Sequence, residues 1–297
     1  MTHHSSQNFA KLCRQIFSAT SSHLVHPGKH LFKTPAGFNY DSFTAAAQPT
    51  IWSVTRVIEM SHAIGFWATP DGCEEQFLDF GKTKTLAIVA SIQLHCEPEL
   101  YDQDVEKQPV EVTNDLVLVG NTSFKLRSHI FLPEVKKPVV NEDRFVVMVD
   151  PNTLRPATFP PWWLDKYGQY SLPGEQRLRV EAFDFKKASN VHEEFFIVRT
   201  IDLDPNCHAN NSSYIRFCYD TFVSAQLREF GQGAGGGDPF RNIRQLVCTY
   251  KGQAKIGDKL KVRFAQDASD GNMYHFEILK DNDSCVLFET SMEFFPS

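Results

Sequence analysis

The sequence predicts an α+β fold in which one order of elements, a long helix followed by antiparallel strands, occurs twice. Two segments carry apolar residues at the three-to-four residue spacing of a helix face: Ile51, Val54, Val57 and Ile58 in the first, and Tyr214, Phe217, Cys218 and Phe222 in the second. Runs rich in β-branched and aromatic residues follow both segments. We therefore infer an internal duplication, which the order of elements supports more strongly than residue identity does.

The first half is predicted to be one domain, residues 29–150. An extended segment from His30 to about Tyr40 leads into a helix over residues 50–63, which follows Pro49, a residue typical of helix starts. Five segments after this helix have the composition of strands: residues 85–92, 110–113, 115–119, 124–131 and 144–149.

The region between the halves, residues 151–175, is rich in proline and is predicted to be a linker or a long loop. Trp162 and Trp163 within it indicate that the segment is pinned to a surface.

The second half, residues 176–297, is predicted to be the second domain. A strand over residues 193–200 precedes a helix over residues 212–227. Four further strands are predicted at residues 245–250, 259–264, 273–279 and 285–294. The glycine-rich stretch 231–239 lacks the Lys-Ser/Thr pair of a phosphate-binding loop, so we expect a flexible connection and keep a mobile lid as the alternative.

Composition and charge exclude several classes of protein. The net charge of -6 and the pI of about 6.0 argue against a general nucleic-acid binder, which needs a basic face. No apolar run approaches the length of a membrane-spanning helix. The 7 cysteines include no C-x-x-C pair, which favours reduced thiols in a reducing compartment. No set of His, Cys, Asp and Glu recurs at metal-ligand spacing, so we expect neither a metal nor a cofactor.

Residues 1–28 are predicted to be a leader. They precede Asp41, the first acidic residue, and carry a few basic residues among serines and histidines. Apolar residues within it can form one face of a short amphipathic helix: Phe9, Leu12, Cys13, Ile16 and Phe17. An ordinary N-terminal helix and a mitochondrial presequence both fit this pattern, so we expect a cytoplasmic protein and keep a mitochondrial location as the alternative.

The stretch with the most chemical content is residues 201–214, between a predicted strand and the second helix. Three polar side chains of different chemistry, Asp204, Asn206 and His208, alternate along it. Two asparagines and two serines follow, all of which are good helix N-cap residues. The turn therefore leads to a helix N-terminus, whose free N–H groups can stabilise a developing negative charge. An ordinary capped helix fits the same spacing.

Residues 199–214 resemble a motif of the acyl-ACP thioesterases, which has the form D-L-D-x-N-x-H-V-N-N-x-x-Y. The match is nearly position for position, with Ala209 in place of the usual valine. Related acyl-CoA thioesterases carry an aspartate at the position of Asp204, often followed by proline as here. The resemblance is specific for this motif and diffuse over the remainder of the chain.

A long helix wrapped by an antiparallel sheet, present twice, is a doubled hotdog fold, and the resembling family is also a tandem hotdog. One sheet closes only half of a substrate cleft, so a duplicated chain supplies its own partner. We expect the N-terminal half to be the non-catalytic partner, because residues 38–43, taken as its equivalent turn, contain no D-x-N-x-H. Superposing the two helices places Trp52 at the position of Tyr214.

The resemblance implies hydrolysis of a fatty acyl thioester carried by ACP or CoA. Asp204 is the candidate general base. Asn206 is the candidate for orienting the water or the carbonyl group, and His208 can accept or relay a proton near neutral pH. The candidate substrate-binding residues are Asn210, Asn211, Tyr214 and Trp52, although we expect the two asparagines mainly to cap and shape the turn.

The sequence departs from the family at Gln253. A family segment of the form Y-R-R-E-C-G aligns with residues 250–254, which places Gln253 at the glutamate and Ala254 at the cysteine. A glutamine can hold a water molecule but cannot take its proton. Either Asp204 or His208 is then the base, or another acid such as Asp258 reaches the site, or the enzyme is slow.

Two other functions fit the same residues. One is a hotdog dehydratase that would use His208 with an acid to remove water from a 3-hydroxyacyl thioester. The other is an acyl-binding module whose activity has decayed, which Gln253 favours. The length of the acyl chain, the choice between ACP and CoA, and the presence of a homodimer stay open.

Overall fold

The two predicted helices and the strands predicted after them occur in the expected order, and the α+β class is confirmed. The computed structural model describes residues 20–35, 37–67, 75–176, 178, 182–231, 239–280 and 285–296. The α-helices in these ranges are α1 (Ile51–Trp67), α2 (Phe80–Thr83), α3 (Pro161–Tyr167) and α4 (Asn211–Gly231). The strands are β1 (Ser21–His26), β2 (Lys29–Thr34), β3 (Leu86–Cys96), β4 (Val110–Val119), β5 (Ser123–Phe131), β6 (Val140–Val149), β7 (His192–Ile197), β8 (Ile243–Tyr250), β9 (Lys259–Gln266), β10 (Met273–Lys280) and β11 (Val286–Phe294).

Two compact units make up the described chain. Unit 1 consists of the described residues of Met1–Asp41 and Thr55–Leu178, and unit 2 of those of Ser42–Val54 and Arg179–Ser297. The division falls inside α1, whose first residues are grouped with unit 2.

Unit 1 contains an antiparallel sheet with the strand order β1-β2-β4-β5-β6-β3. The hairpin of β1 and β2 was not predicted, and β1 lies in the region expected to be a leader. The residues of β1 are half-buried or exposed, so they lack the alternation of apolar and polar residues that marks a strand. Phe66 of α1 packs its ring against Phe77 and Phe80 in the core of this unit.

The segment predicted to be a Pro-rich linker is packed into unit 1. It contains α3, in which Trp163 and Tyr167 are fully buried. The indole N–H of Trp163 donates to the carbonyl of Leu78 at 2.8 Å, and the ring stacks on Phe159 with centroids 3.8 Å apart. Trp163 therefore pins the segment, as its sequence indicated, whereas Trp162 stays exposed.

The strands of unit 2 are antiparallel and hydrogen-bonded in the order β8-β11-β10-β9-β7. The predicted apolar face of α4 is buried, and Phe222 at its centre contacts the rings of Tyr274 and Phe294. Truncating a buried phenylalanine to alanine typically costs about 3–5 kcal/mol of stability. The first turn of α4 is therefore held in place by the packing of the rest of the helix.

Two predicted features fall largely or wholly on residues that are not described. Residues 1–19 of the expected leader and residues 232–238 of the glycine-rich stretch lie outside the described ranges.

Candidate active site

The turn between β7 and α4, residues 203–209, is closed by a short antiparallel bridge between Leu203 and Ala209. The N–H of Asp204 donates to the carbonyl of His208 at 2.8 Å, and the N–H of Cys207 donates to the carbonyl of Asp204 at 3.0 Å. Cys207 completes the reversal with a φ of 62°, in the left-handed region that residues other than glycine rarely adopt. The turn therefore has one defined backbone shape.

The carboxylate of Asp204 accepts hydrogen bonds from its own turn. Its Oδ1 accepts the N–H of Asn206 at 2.8 Å and the N–H of His208 at 3.1 Å. Its Oδ2 accepts the side-chain amide of Asn206 at 3.0 Å. Because each carboxylate oxygen has about two acceptor sites, Oδ2 keeps one of them. The structure therefore shows Asp204 shaping the turn, and it shows the amide of Asn206 committed to that carboxylate.

His208 is half-buried, and its backbone is held on two sides. One side is the turn, through Asp204, and the other is an isolated antiparallel bridge to Lys255. Within the described part of the chain, the imidazole ring makes no hydrogen bond. A ring with two uncommitted nitrogens on a fixed backbone can accept a proton at one of them.

The N-terminus of α4 is capped by Asn210. Its Oδ1 accepts the N–H of Ser212 at 2.8 Å, and its carbonyl accepts the N–H of Ser213 at 2.9 Å. None of the described residues provides an acceptor for the N–H of Asn211. Asn210 therefore has the capping role expected for it, and the N–H of Asn211 is a free donor at the positive end of the helix.

The segment that carries Gln253 lies against the turn. The N–H of Ala209 donates to the carbonyl of Ala254 at 2.8 Å, and the N–H of Ala254 donates to the hydroxyl of Tyr214 at 2.8 Å. Gln253 precedes this contact and is exposed, and its side chain makes no hydrogen bond to the described residues. Burial raises the pKa of Tyr214 to about 12, so its hydroxyl stays protonated while it accepts from Ala254.

Asp258, the other acid considered from the sequence, is already engaged. Its Oδ2 accepts the N–H of Lys255 at 2.9 Å and lies 3.1 Å from the ammonium of Lys280. Burial opposes ionisation, but these two groups hold the pKa of Asp258 below its usual value. Asp258 therefore stabilises its own turn as an anion.

Arg216 supports the site and was not singled out from the sequence. It pairs with the buried carboxylate of Asp202 and, at 2.9 Å, with Asp220. Asp202 also accepts the N–H of Arg199 at 2.7 Å, which fixes the chain just before the turn. Burial raises the pKa of Asp220, against the lowering effect of Arg216. A buried carboxylate needs a cation beside it. The nearby acids Asp202 and Asp220 were therefore the sequence signal that could have singled out Arg216.

The turn of the first half lies later in the chain than predicted. The turn with matching hydrogen bonds is residues 43–49, not residues 38–43. The N–H of Thr44 donates to the carbonyl of Gln48 at 2.8 Å, as Asp204 does to His208, and Ala47 has a φ of 57°. The sequence missed this turn because it contains none of the motif residues.

Trp52 does not occupy the position of Tyr214 once the turn at 43–49 is matched to the turn at 203–209. With Thr44 matched to Asp204, Trp52 matches Ser212 and Val54 matches Tyr214. Trp52 is half-buried and packs its ring against Tyr219, with centroids 5.5 Å apart. Its contact to substrate stays a prediction.

Two other observations bear on the chemistry of the site. The described residues contain no group of three or more His, Cys, Asp and Glu side chains arranged to hold a metal ion. None of the helices in the described ranges combines the length and apolar composition that crossing a membrane requires.

Comparison with known proteins gives one family match by sequence. Residues 185–232 match the family described as acyl-ACP thioesterase C-terminal domain, and this stretch contains the whole of the turn at 203–209. A comparison with curated proteins gave no match.

Solved structures similar to this chain include the following two thioesterases. The 12:0-ACP thioesterase from Umbellularia californica is 13% identical, with a TM-score of 0.65 over 93% of this chain and 100% of that one. An acyl-ACP thioesterase from Bacteroides thetaiotaomicron is 16% identical, with a TM-score of 0.60 over 90% of this chain and 98% of that one. At this identity the two likenesses show a shared fold.

Proposed function

We propose that this chain, a thioester hydrolase related to the acyl-ACP thioesterases, releases free fatty acid from an acyl group carried by ACP or CoA. The family match over residues 185–232 confirms the relationship that the motif indicated. The observation that carries the proposal is the turn at 203–209, which presents the unbonded imidazole of His208 just before the free N–H of Asn211.

We propose that the fold is a tandem hotdog. The two units each contain one antiparallel sheet, and a helix begins after the turn at 43–49 and again after the turn at 203–209. In this proposal the domains are residues 29–150 and 176–297, and the second carries the chemistry. The repeated turn supports this arrangement, because it follows the same hydrogen bonds in both places.

His208 is the proposed proton acceptor. Its imidazole takes a proton from water as the water oxygen attacks the thioester carbonyl carbon, which forms a tetrahedral oxyanion. The carbon–sulfur bond then breaks, and the departing sulfur takes the proton from His208. The products are a fatty acid and a free thiol, so atoms and charge balance.

The N–H of Asn211 is the proposed donor to the oxyanion. It is the first amide of α4, where the helix dipole favours negative charge, and it has no acceptor among the described residues. A single donor of this kind typically contributes on the order of 10²–10³ in rate.

Asp204 and Asn206 act on His208 through the turn in this proposal. The carboxylate of Asp204 accepts one hydrogen bond from the N–H of His208, one from the N–H of Asn206 and one from the side-chain amide of Asn206, which fixes the backbone that carries the imidazole. The sequence-based assignment of Asp204 as the base stays a prediction, since the remaining acceptor site of Oδ2 leaves that chemistry open.

A slow or binding-only version of the same site is the second candidate, and Gln253 favours it. Gln253 lies next to Ala254, whose carbonyl is bonded to Ala209 in the turn, so a glutamate at 253 would stand close to the motif. A glutamine there can hold water without taking its proton. Proton transfer then relies on His208 or Asp204, without an acid at position 253.

The test is a panel of acyl-ACP and acyl-CoA substrates of varied chain length, with free thiol release as the readout. We expect thiol release with at least one series, and loss of it in His208→Ala. Tight binding of acyl thioesters without any thiol release would favour the binding module. Conversion of a 3-hydroxyacyl thioester to its enoyl product would favour the dehydratase.

The proposal extends to the subcellular location of the chain. We expect the chain to act in the cytoplasm, with a mitochondrial location as the alternative if residues 1–28 are a presequence. A homodimer stays open, and light scattering of the full chain would measure it.

A further inference from the structure

The outer face of the β7–β9 ribbon in unit 2 is both apolar and basic. β7 is the edge strand of its sheet, and it exposes Phe195 and Ile197 by 63% and 53%. Phe195 is paired with Lys261, and Ile197 with Lys259. Residues directly opposite each other on antiparallel strands share one face of the sheet, so each apolar side chain stands beside a lysine.

The same surface continues to the candidate active site. The N–H of Val198 donates to the carbonyl of Asp258, and the N–H of Gly257 donates to the carbonyl of Val198. This places the exposed Ile256 at the end of β7, in the turn that begins at Lys255. Lys255 is in turn bridged to His208. Backbone hydrogen bonds therefore link the end of β7 to the segment 255–258, and the bridge at Lys255 links that segment to the turn at 203–209.

The charges on this face are largely unpaired cations. Within the described part of the chain, Arg199, Lys255 and Lys259 make no salt bridge. Two acids on or beside the face are paired with lysines, since Glu193 lies 3.7 Å from Lys261 and Asp258 lies 3.1 Å from Lys280, and the carboxylate of Asp204 accepts hydrogen bonds within its own turn. The net charge of the whole chain is -6, so this patch has the opposite sign to the rest.

We infer that the face formed by Phe195, Ile197, Ile256, Lys255 and Lys259 is the docking surface for an acidic acyl carrier protein. This inference rests on the proposed function, which it deepens by choosing the carrier protein over CoA. Exposed apolar side chains rimmed by one sign of charge are typical of a protein interface. Complementary charge steers the carrier protein to this surface and fixes its orientation there. Lys255, at one end of the surface, is bridged to His208 in the turn that must receive the thioester.

The surface is tested with one acyl chain presented on three carriers: a purified type II acyl carrier protein, CoA and pantetheine. The measured quantity is the ratio of kcat/KM for acyl-ACP to kcat/KM for acyl-pantetheine. We expect Lys259→Glu and Phe195→Ser each to lower this ratio about tenfold. We also expect the ratio for the unaltered chain to fall with added salt, and to fall less in Lys259→Glu.

Lys136→Glu is the matched control. Lys136 is an exposed lysine of unit 1 that makes no salt bridge to the described residues, so its reversal makes the same change in net charge. We expect it to leave the ratio unchanged. An equal ratio in Lys259→Glu, Phe195→Ser and the unaltered chain would overturn the inference.

A binding measurement separates this inference from the proposed function. Anisotropy of labelled holo-ACP, which carries no acyl group, reports docking even if no thioester is hydrolysed. We expect binding that weakens about tenfold in Lys259→Glu. Absence of binding to holo-ACP, or binding of the same face to phosphatidylglycerol vesicles in its place, would overturn the inference, whereas absence of thiol release alone would overturn only the hydrolase.

Discussion

Two turns of this chain have the same backbone and different chemistry. Residues 43–49 and residues 203–209 are each closed by an antiparallel bridge, and each follows a 3-10 turn, Tyr40–Ser42 in one case and Thr200–Asp202 in the other. Ala47 and Cys207 adopt nearly the same left-handed φ, 57° and 62°.

The side chains at matching positions of the two turns differ in their ability to accept a proton. Thr44 stands where Asp204 stands, and its hydroxyl accepts the N–H of Gln48 at 3.3 Å. Gln48 stands where His208 stands. The first turn therefore keeps the cap that shapes the backbone and lacks both the carboxylate and the imidazole. The backbone of the turn therefore forms without the motif residues, and the catalysis proposed for the second turn rests on side chains that the first turn lacks.

The largest expected effect comes from giving the second turn the glutamine of the first. His208→Gln should lower thioester turnover by about 10²–10⁴-fold, because an amide cannot accept the proton of the attacking water. Thiol release measures the loss. The thermal midpoint should stay close to that of the unaltered chain, since the first turn already forms with glutamine at this position. Retention of full turnover would remove His208 from the proposed chemistry.

Placing the glutamate of the resembling family at position 253 should raise turnover. Gln253→Glu should raise kcat by up to about tenfold, because a second group able to take the proton then stands beside the turn. The matched control is Gln103→Glu, because Gln103 is also exposed and its side chain makes no hydrogen bond to the described residues. Equal rates in the two variants would show that position 253 does not reach the reacting water.

Exchanging the acid of the second turn for the threonine of the first tests whether Asp204 mainly shapes the turn. Asp204→Thr should lower the free energy of unfolding by about 1–2 kcal/mol, because one hydroxyl replaces a carboxylate that accepts three hydrogen bonds. Turnover should fall about tenfold as the imidazole loses its fixed position.

Asp204→Asn separates shaping from proton transfer at the same residue. The asparagine keeps an acceptor for the N–H groups of Asn206 and His208 and cannot act as a base. We expect a loss of turnover below about tenfold. A loss of about 10²-fold or more with an unchanged thermal midpoint would make the carboxylate itself the base.

The smallest expected effect is on stability, and it concerns the left-handed residue that both turns share. Ala47→Gly and Cys207→Gly should each change the free energy of unfolding by less than about 1 kcal/mol, since relief of the left-handed conformation is partly offset by greater freedom of the unfolded chain. Denaturant unfolding of the two variants measures the change. The two values should agree, and a clear difference between them would mean that the turns are strained to different degrees.

Much of the fold could be predicted because its signals are local. The apolar spacing of α4 predicted the buried face that includes Phe222, and strand composition predicted β3 to β6 and β7 to β11 within a few residues. β4 was predicted as two strands because Asn114, a residue type that strands disfavour, interrupts the run. In the structure, Asn114 is buried and hydrogen-bonded to Ser61 and Ser128, contacts that the local sequence does not encode.

The sequence by itself determined the α+β class, the identity of the motif residues and the position of the second helix, because periodicity and turn chemistry act between neighbours in the chain. Only the tertiary structure decided which turn of the first half is equivalent, where Trp163 is buried, and that Gln253 lies beside the motif. Those facts depend on hydrogen bonds and packing between segments far apart in sequence, such as Ala209 with Ala254. The energy of such contacts is set by three-dimensional proximity, which composition and spacing do not specify.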